Sequence, residues 1–320
     1  MDWAIFSFPF PRALIRHIAS FLKLVIMWLR VAVGVTSGAL VCLKAIPHIF
    51  PQLYYKRIKE LKIDGREMEI PPRCREQLAG ISQKLGMSDK QDKISFFVCR
   101  SLYPSSSGAT WLPNGAVIGV PLSFYFKHED DLGRFGEIFF QDGKVPMLLQ
   151  SRFGQKFIHT QLSSDDNIAF CIGRELVHLS SSFDIASDVF FAPSWLIATY
   201  AISRRTRIVI PRASALVDGI VKVTLYLLSF ACFWPVERSL NHYREFKADE
   251  MSARCDLDVA KGGVDWVLKK KRFLSLMKSI QGGHESKEML FNTVDSTHPK
   301  LLDRLRRLEV IVDEKIKGAR

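Results

Sequence analysis

The chain lacks paired cysteines. Its six, Cys42, Cys74, Cys99, Cys171, Cys232 and Cys255, lie far apart, with no CxxC and no zinc-ribbon spacing. They read as scattered thiols, not as a disulfide framework or a cysteine-based metal module. Acids are scarce at the N-terminus, where residues 1–30 carry Arg12, Arg16, Lys23 and Arg30 against Asp2 alone. No nucleic-acid motif accompanies the net charge of +12, so the charge is assigned to membrane flanks and the basic N-terminus. No internal repeat is present. A cleavable secretory signal is disfavoured, because Lys23 and Arg30 interrupt the apolar run.

Long apolar stretches are plentiful. A helix needs roughly 20 mostly apolar residues to cross the hydrocarbon core. Three stretches qualify or come close: 24–46, 187–203 and 213–235. The first holds Gly34 and Gly38 as GxxxG, a spacing that lets two helices approach closely. The third carries Asp218 and Lys222 four apart, on one helical face. Between the last two lies RRTRIVIPR (204–212), read as a basic loop. The expectation is a membrane hairpin whose tip faces the positive-inside compartment, as the N-terminus would. Residues 1–23 are basic, acid-poor and amphipathic. They suit either a mitochondrial targeting segment or a flank orienting the first span.

The remaining stretches look globular. Strands are expected at 94–103 and 115–126, the second opened by the Pro113-Asn114-Gly115 turn, with a weaker strand at 143–154. PSSSGA (104–109) reads as a loop. Helices are expected at 73–86, 165–181, 237–256, 264–281 and 298–316. The helix at 165 has Ser163 or Ser164 as cap and Asp165 and Asp166 in its first turn.

On that helix the sequence reads Gly173-Arg174-Glu175-Leu176-Val177-His178. With histidine at 174 it would be HExxH, in which two histidines four apart bind zinc and the Glu between them serves as general base. Glu175 and His178 are in place. Arg174 is not a ligand, because a guanidinium stays protonated and offers no lone pair. Downstream are Glu245-Phe246-Lys247-Ala248-Asp249, an ExxAD, and Ser296-Thr297-His298-Pro299 followed by Leu302, Arg304 and Leu305. Upstream is Gly108-Ala109-Thr110-Trp111-Leu112-Pro113-Asn114-Gly115.

In this order the pieces resemble the HtpX-like membrane metallopeptidases. The resemblance implies zinc ligands at His178 and Glu245, a general base at Glu175 and a supporting acid at Asp249. It leaves Arg174 where a ligand belongs. Over about 30–260 the chain is also similar to the transmembrane protein 177 family, through the first span, GAVIGVPLSF, Arg174-Glu175 with Leu179, and the late membrane hairpin. That resemblance implies a multi-pass protein of the mitochondrial inner membrane. It also implies a part in assembling cytochrome c oxidase around subunit 2.

The expected class is therefore α+β: a helical, membrane-anchored, degenerate zinc-metallopeptidase domain with a small sheet or β-hairpin. Residues 1–23 form the flank, 24–46 a transmembrane helix and 187–235 a transmembrane hairpin. Residues 47–186 and 237–320 form the two halves of a peptidase-like domain. The expected partners are the lipid bilayer and a membrane protein, with no nucleic acid, no cofactor and no bound metal. Arg174 is expected to replace zinc as counter-charge to Glu245 and Glu175. A partner segment would add to an edge strand at 115–123. The alternative is an active zinc peptidase using His178, Glu245 and a replacement ligand, with His242, His159 or His298 as candidates.

Overall fold

The computed structural model describes residues 12–63, 65–133, 137–140, 145–209, 215–280 and 299–318. The chain divides into two units. One comprises Met1–Lys44 and Val189–Ala231; the other comprises Ala45–Asp188 and Cys232–Arg320.

Helix α1 (Arg12–Ile49) contributes to the first unit with the later part of α7 (Ser182–Val209) and the first part of α8 (Ala215–Cys255). These three helices are long and apolar enough to cross a membrane. Within the unit, α7 and α8 are joined by a ladder of side-chain hydrogen bonds. Trp195 Nε1 donates to Ser229 Oγ at 2.9 Å, Thr199 Oγ1 lies 2.6 Å from the same atom, and Ser203 Oγ meets Tyr226 Oη at 2.9 Å. Thr206 and Lys222 both donate to Asp218, at 3.2 and 2.6 Å. Polar side chains that satisfy one another across helices hold apolar spans together where the hydrophobic effect cannot. A Cβ at Gly34 or Gly38 would touch nothing within 4 Å, so the GxxxG face is open among the described residues.

The second unit is α+β. After α1 a π-helical turn (Pro51–Lys56) leads into the one-turn α2 (Arg57–Lys59) and a two-residue hairpin, β1 (Lys62–Ile63) with β2 (Arg66–Glu67). Helix α3 (Pro72–Lys84) starts on proline, which suits the first helical position, and buries Cys74, Leu78 and Ile81 along one stripe. The main sheet has the order β3 (Ile94–Cys99), β5 (Ala116–Pro121), β4 (Ser105–Gly108). Strands β3 and β5 are parallel, with Ile94 opposite Ala116; β4 and β5 are antiparallel, with Ser106 opposite Ile118. As the middle strand, β5 is buried throughout and reads as a continuous apolar run. Gly115, at φ +66°, closes the turn before it, where a Cβ would strike the Lys93 carbonyl.

A short helix α4 (Glu129–Gly133), the hairpin β6 (Glu137–Phe140) with β7 (Val145–Leu148), and α5 (Arg152–Gln161) follow. Then come α6 (Asp165–Ser180), α9 (Leu257–Ile280) and α10 (Leu301–Gly318). Helix α6 is buried from Asn167 to Val177, the mark of a central element. Around it pack Ile81, Ile118, Trp266, Val267 and Leu308. Its start is a capping box: Ser164 Oγ accepts from Asn167 N at 3.2 Å, and Asn167 Oδ1 accepts from Ser164 N at 3.1 Å.

Several expectations are corrected. PSSSGA is not a loop throughout, since Ser105–Gly108 form an edge strand. Strand β5, expected at an edge, is central. Of the described part of 143–154, strand covers Val145–Leu148 alone. Ser151 then caps α5 by accepting from Gly154 N at 3.0 Å. The basic stretch at 204–212 is helical as far as Val209. Residues 213–235 and 237–256 belong largely to one helix, α8, with Pro235 inside it. The targeting reading concerns residues of which 1–11 lie outside those described.

Where α9 crosses the first turn of α6, a Cβ at Gly262 would lie 2.4 Å from the carbonyl carbon and oxygen of Asp166. Backbone cannot swing aside as a side chain can. Gly262→Ala gains up to about 1 kcal/mol in helix propensity, while overpacking costs about 1–3 kcal/mol. Net destabilisation is expected in denaturant unfolding; a variant more stable than wild type would refute so close a crossing.

Candidate functional site

The site is built where α6 and α8 cross. On α8, Glu245, Asp249 and Ser252 follow at four and three residues and so share one face. That face meets α6 at Phe170, Gly173 and Arg174. Ser252 Oγ donates to the Phe170 carbonyl at 2.9 Å, and a Cβ at Gly173 would fall 2.4 Å from that oxygen. Gly173 thus permits the close approach that sets its neighbour, Arg174, against Glu245 and Asp249.

Arg174 is 4% exposed. Its Nη2 donates to Glu245 Oε2, and its Nε lies 2.6 Å from Asp249 Oδ1, close but off the hydrogen-bonding direction. Asp249 also takes two parallel bonds from Arg304 on α10, at 2.7 and 2.8 Å. That fork geometry is the strong form of the Arg–carboxylate pair. Burial alone would lower the pKa of Arg174, but Glu245, Asp249 and Glu175 together raise it. Both guanidinium groups lie over the ring of Trp266, at 5.7 and 5.3 Å.

The pairing of Arg174 with Glu245 matches the expectation. Its second partner does not: Asp249 takes that place. Glu175 instead accepts from Ser106 Oγ on β4 at 2.6 Å. His178 Nδ1 lies 2.9 Å from Asp184 Oδ2. A carboxylate only accepts, so Nδ1 is the donor in this contact; in the tautomer with its single proton there, Nε2 keeps the ring's lone pair. That nitrogen lies 3.9 Å from Glu245 Oε1. Five residues of this arrangement were visible in motifs: Arg174, Glu175, His178, Glu245 and Asp249. The roles of Asp184, Ser106 and Trp266 were not. Asp184 is six residues beyond His178, past the helix end at Ser180, a spacing no motif encodes.

These groups border a cavity of about 660 Å³. Its wall includes Ser105–Gly108 of β4, with His48, Tyr55, Arg174, Glu175, His178, Asp184, Arg244, Glu245 and Arg304. His242 does not line it; its ring packs edge-on against Phe246. His159 is at the surface, 3.6 Å from Glu129. His298 lies outside the described residues. Among the described residues, no three His, Cys, Asp or Glu side chains converge as a metal-binding group. Among the described residues the donor set does not fit a catalytic zinc. His178 and Glu245 would supply two ligands where three are usual, and a guanidinium already holds the Glu245 carboxylate.

A third buried cation stands beside the cluster. Lys270 Nζ donates to the Leu102 carbonyl at 2.7 Å and lies 5.8 Å from the Trp266 ring. Burial pushes its pKa from 10.5 down to about 8. The unfolded chain therefore binds more protons between those values, and stability rises with pH across that window. The gain is on the order of 3 kcal/mol, readable as a thermal midpoint climbing above pH 8. Lys270→Met should flatten that rise; an unchanged pH profile would show that Lys270 is not its source.

No protein-family model matches the chain, and no solved structure is significantly similar to it. Curated relatives do match. The chain is similar to transmembrane protein 177. The Danio rerio protein of that name is 24% identical over 240 residues, covering 73% of this chain and 76% of that protein. The Homo sapiens protein is 23% identical over 294 residues, covering 86% and 88%. The Xenopus laevis protein is 19% identical over 254 residues, covering 78% and 81%. These similarities over most of the chain support kinship with that family. With the three apolar helices they support a membrane protein.

Proposed function

We propose that this chain is a non-catalytic membrane protein of the transmembrane protein 177 family, derived from an HtpX-like peptidase. It holds a membrane partner without cutting it. The observation that carries this reading is Arg174, buried between Glu245 and Asp249 at the position HExxH gives to a metal ligand. A metallopeptidase needs a metal-activated water; here Glu245 and Asp249 face guanidinium groups instead. The cavity remains, bordered by the edge strand β4, and an edge strand can take up an extended segment. The mitochondrial inner membrane is proposed as its location and a complex that assembles cytochrome c oxidase subunit 2 as its partner, a reading that the similarity to transmembrane protein 177 supports.

The test is the metal content of the purified full chain by elemental mass spectrometry, beside cleavage of unfolded protein substrates with and without added zinc. The expected result is substoichiometric zinc and no cleavage. One zinc per chain with chelator-sensitive cleavage would establish the active-peptidase alternative.

A further inference from the structure

Most basic side chains around the cavity face a carboxylate. Arg174 meets Glu245 and Asp249, Arg304 meets Asp249, His178 meets Asp184, and His48 Nε2 lies 3.3 Å from Asp188. Like the exposed Lys59, Arg244 departs from this pattern. Among the described residues no carboxylate lies within ion-pair distance of it; its Nη1 reaches only Asn241 Oδ1, at 3.5 Å. It is half-buried, and its Nε is enclosed without a hydrogen-bond partner among those residues. A desolvated cation is costly until a counter-charge arrives.

Two enclosed acceptors complete the picture. Asp184 is 2% exposed, and its Oδ1 has no hydrogen-bond partner among the described residues. Among the same residues the Nε2 of His178 has no hydrogen-bond partner either, Glu245 Oε1 standing 3.9 Å away. A phosphate brings acceptors only and would meet Asp184 and Glu175 as like charges. A peptide main chain brings both N–H donors and C=O acceptors. Strand β4 offers matching groups, because alternate N–H and C=O groups of an edge strand face away from its neighbour.

We infer that Arg244 receives an acidic side chain of an extended peptide segment laid along the Ser105–Gly108 edge, with main-chain N–H groups of that segment donating to His178 and Asp184. This rests on the binding-module reading and names its ligand class. Arg244 is then a specificity residue, apart from the Arg174 cluster that holds the fold.

The experiment is selection of a phage-displayed library of random linear decapeptides on the full chain in phosphatidylcholine nanodiscs. Enriched peptides are remade with a fluorescent label and measured by anisotropy. Wild type is expected to enrich peptides with Asp or Glu at one fixed position, and replacing that residue by Asn or Gln should weaken binding at least about tenfold. Arg244→Gln should abolish the acidic preference while keeping residual binding, and Arg244→Lys should restore part of it. Thermal midpoints of both variants, compared with wild type, report folding. No enrichment, enrichment without an acidic position, or a preference that persists in Arg244→Gln would each overturn the inference. So would Arg244-dependent displacement of the peptides by soluble dioctanoyl phosphatidylglycerol at equal or higher affinity, which would assign Arg244 to a lipid headgroup. None of these outcomes depends on metal content, so this inference and the non-catalytic reading fail separately.

Discussion

Asp249→Ala should destabilise the protein by about 3–5 kcal/mol, the range for breaking a buried ion pair from one side. Asp249 is the hinge of the cluster. It takes both bonds from Arg304 and the approach of Arg174 Nε. After the substitution Arg174 keeps Glu245, but Arg304 keeps no carboxylate among its described contacts. It is 3% exposed, with the face of Trp266 as its remaining favourable contact. A cation–π contact contributes up to about 2 kcal/mol when desolvated, too little to offset an uncompensated buried charge. Equilibrium unfolding of the detergent-solubilised chain, followed by tryptophan fluorescence, measures the loss. Asp249→Asn should cost less, since it keeps the shape and one acceptor. The double variant Asp249→Leu with Arg304→Met should recover much of the stability, because apolar side chains of similar volume often replace a buried pair without loss. A cost below about 1 kcal/mol for Asp249→Ala would mean that water reaches the pair, as at an exposed salt bridge.

Arg174→His is the second large effect, and its sign depends on the medium. Without metal the variant loses the guanidinium that Glu245 and Asp249 face, and it should be less stable than wild type. With zinc it should gain one equivalent. The new imidazole would stand four residues before His178 on α6, with Glu245 across on α8. His178 is already arranged as a ligand: Asp184 holds Nδ1–H and leaves Nε2 on the side of Glu245. Free zinc at one hundred times its dissociation constant would stabilise the variant by about 2.7 kcal/mol. Elemental mass spectrometry and thermal unfolding with and without zinc read both halves. Failure to take up zinc, with the fold intact, would show that the helix crossing no longer has ligand geometry.

How much of this was legible depends on how local each signal is. Helix α6 was legible because its cap is local: Ser164, Asp165 and Asp166 announce the start. The pairing of Arg174 with Glu245 was legible because two short motifs, each five residues long, assign both to one site. Strand β4 was hidden. Three serines and a glycine carry no strand propensity, and only pairing with β5 makes them extended. The continuity of α8 was hidden by Pro235, which normally ends a helix. Here Ser239 Oγ donates to the Pro235 carbonyl at 2.8 Å, and the helix runs through. Arg244 carried no signal at all; its isolation is visible only once its neighbours' partners are known.

A metal ion and a guanidinium differ in how each stays in place. Zinc is held by an equilibrium: it must be delivered, can be stripped by a chelator, and can be exchanged for a competing ion. Arg174 is held by peptide bonds. Its supply is fixed at one per chain from the moment of synthesis, and no change in metal availability can remove it. The crossing of α6 and α8 therefore acquires its counter-charge as it forms, and no loading step separates a finished chain from a finished core.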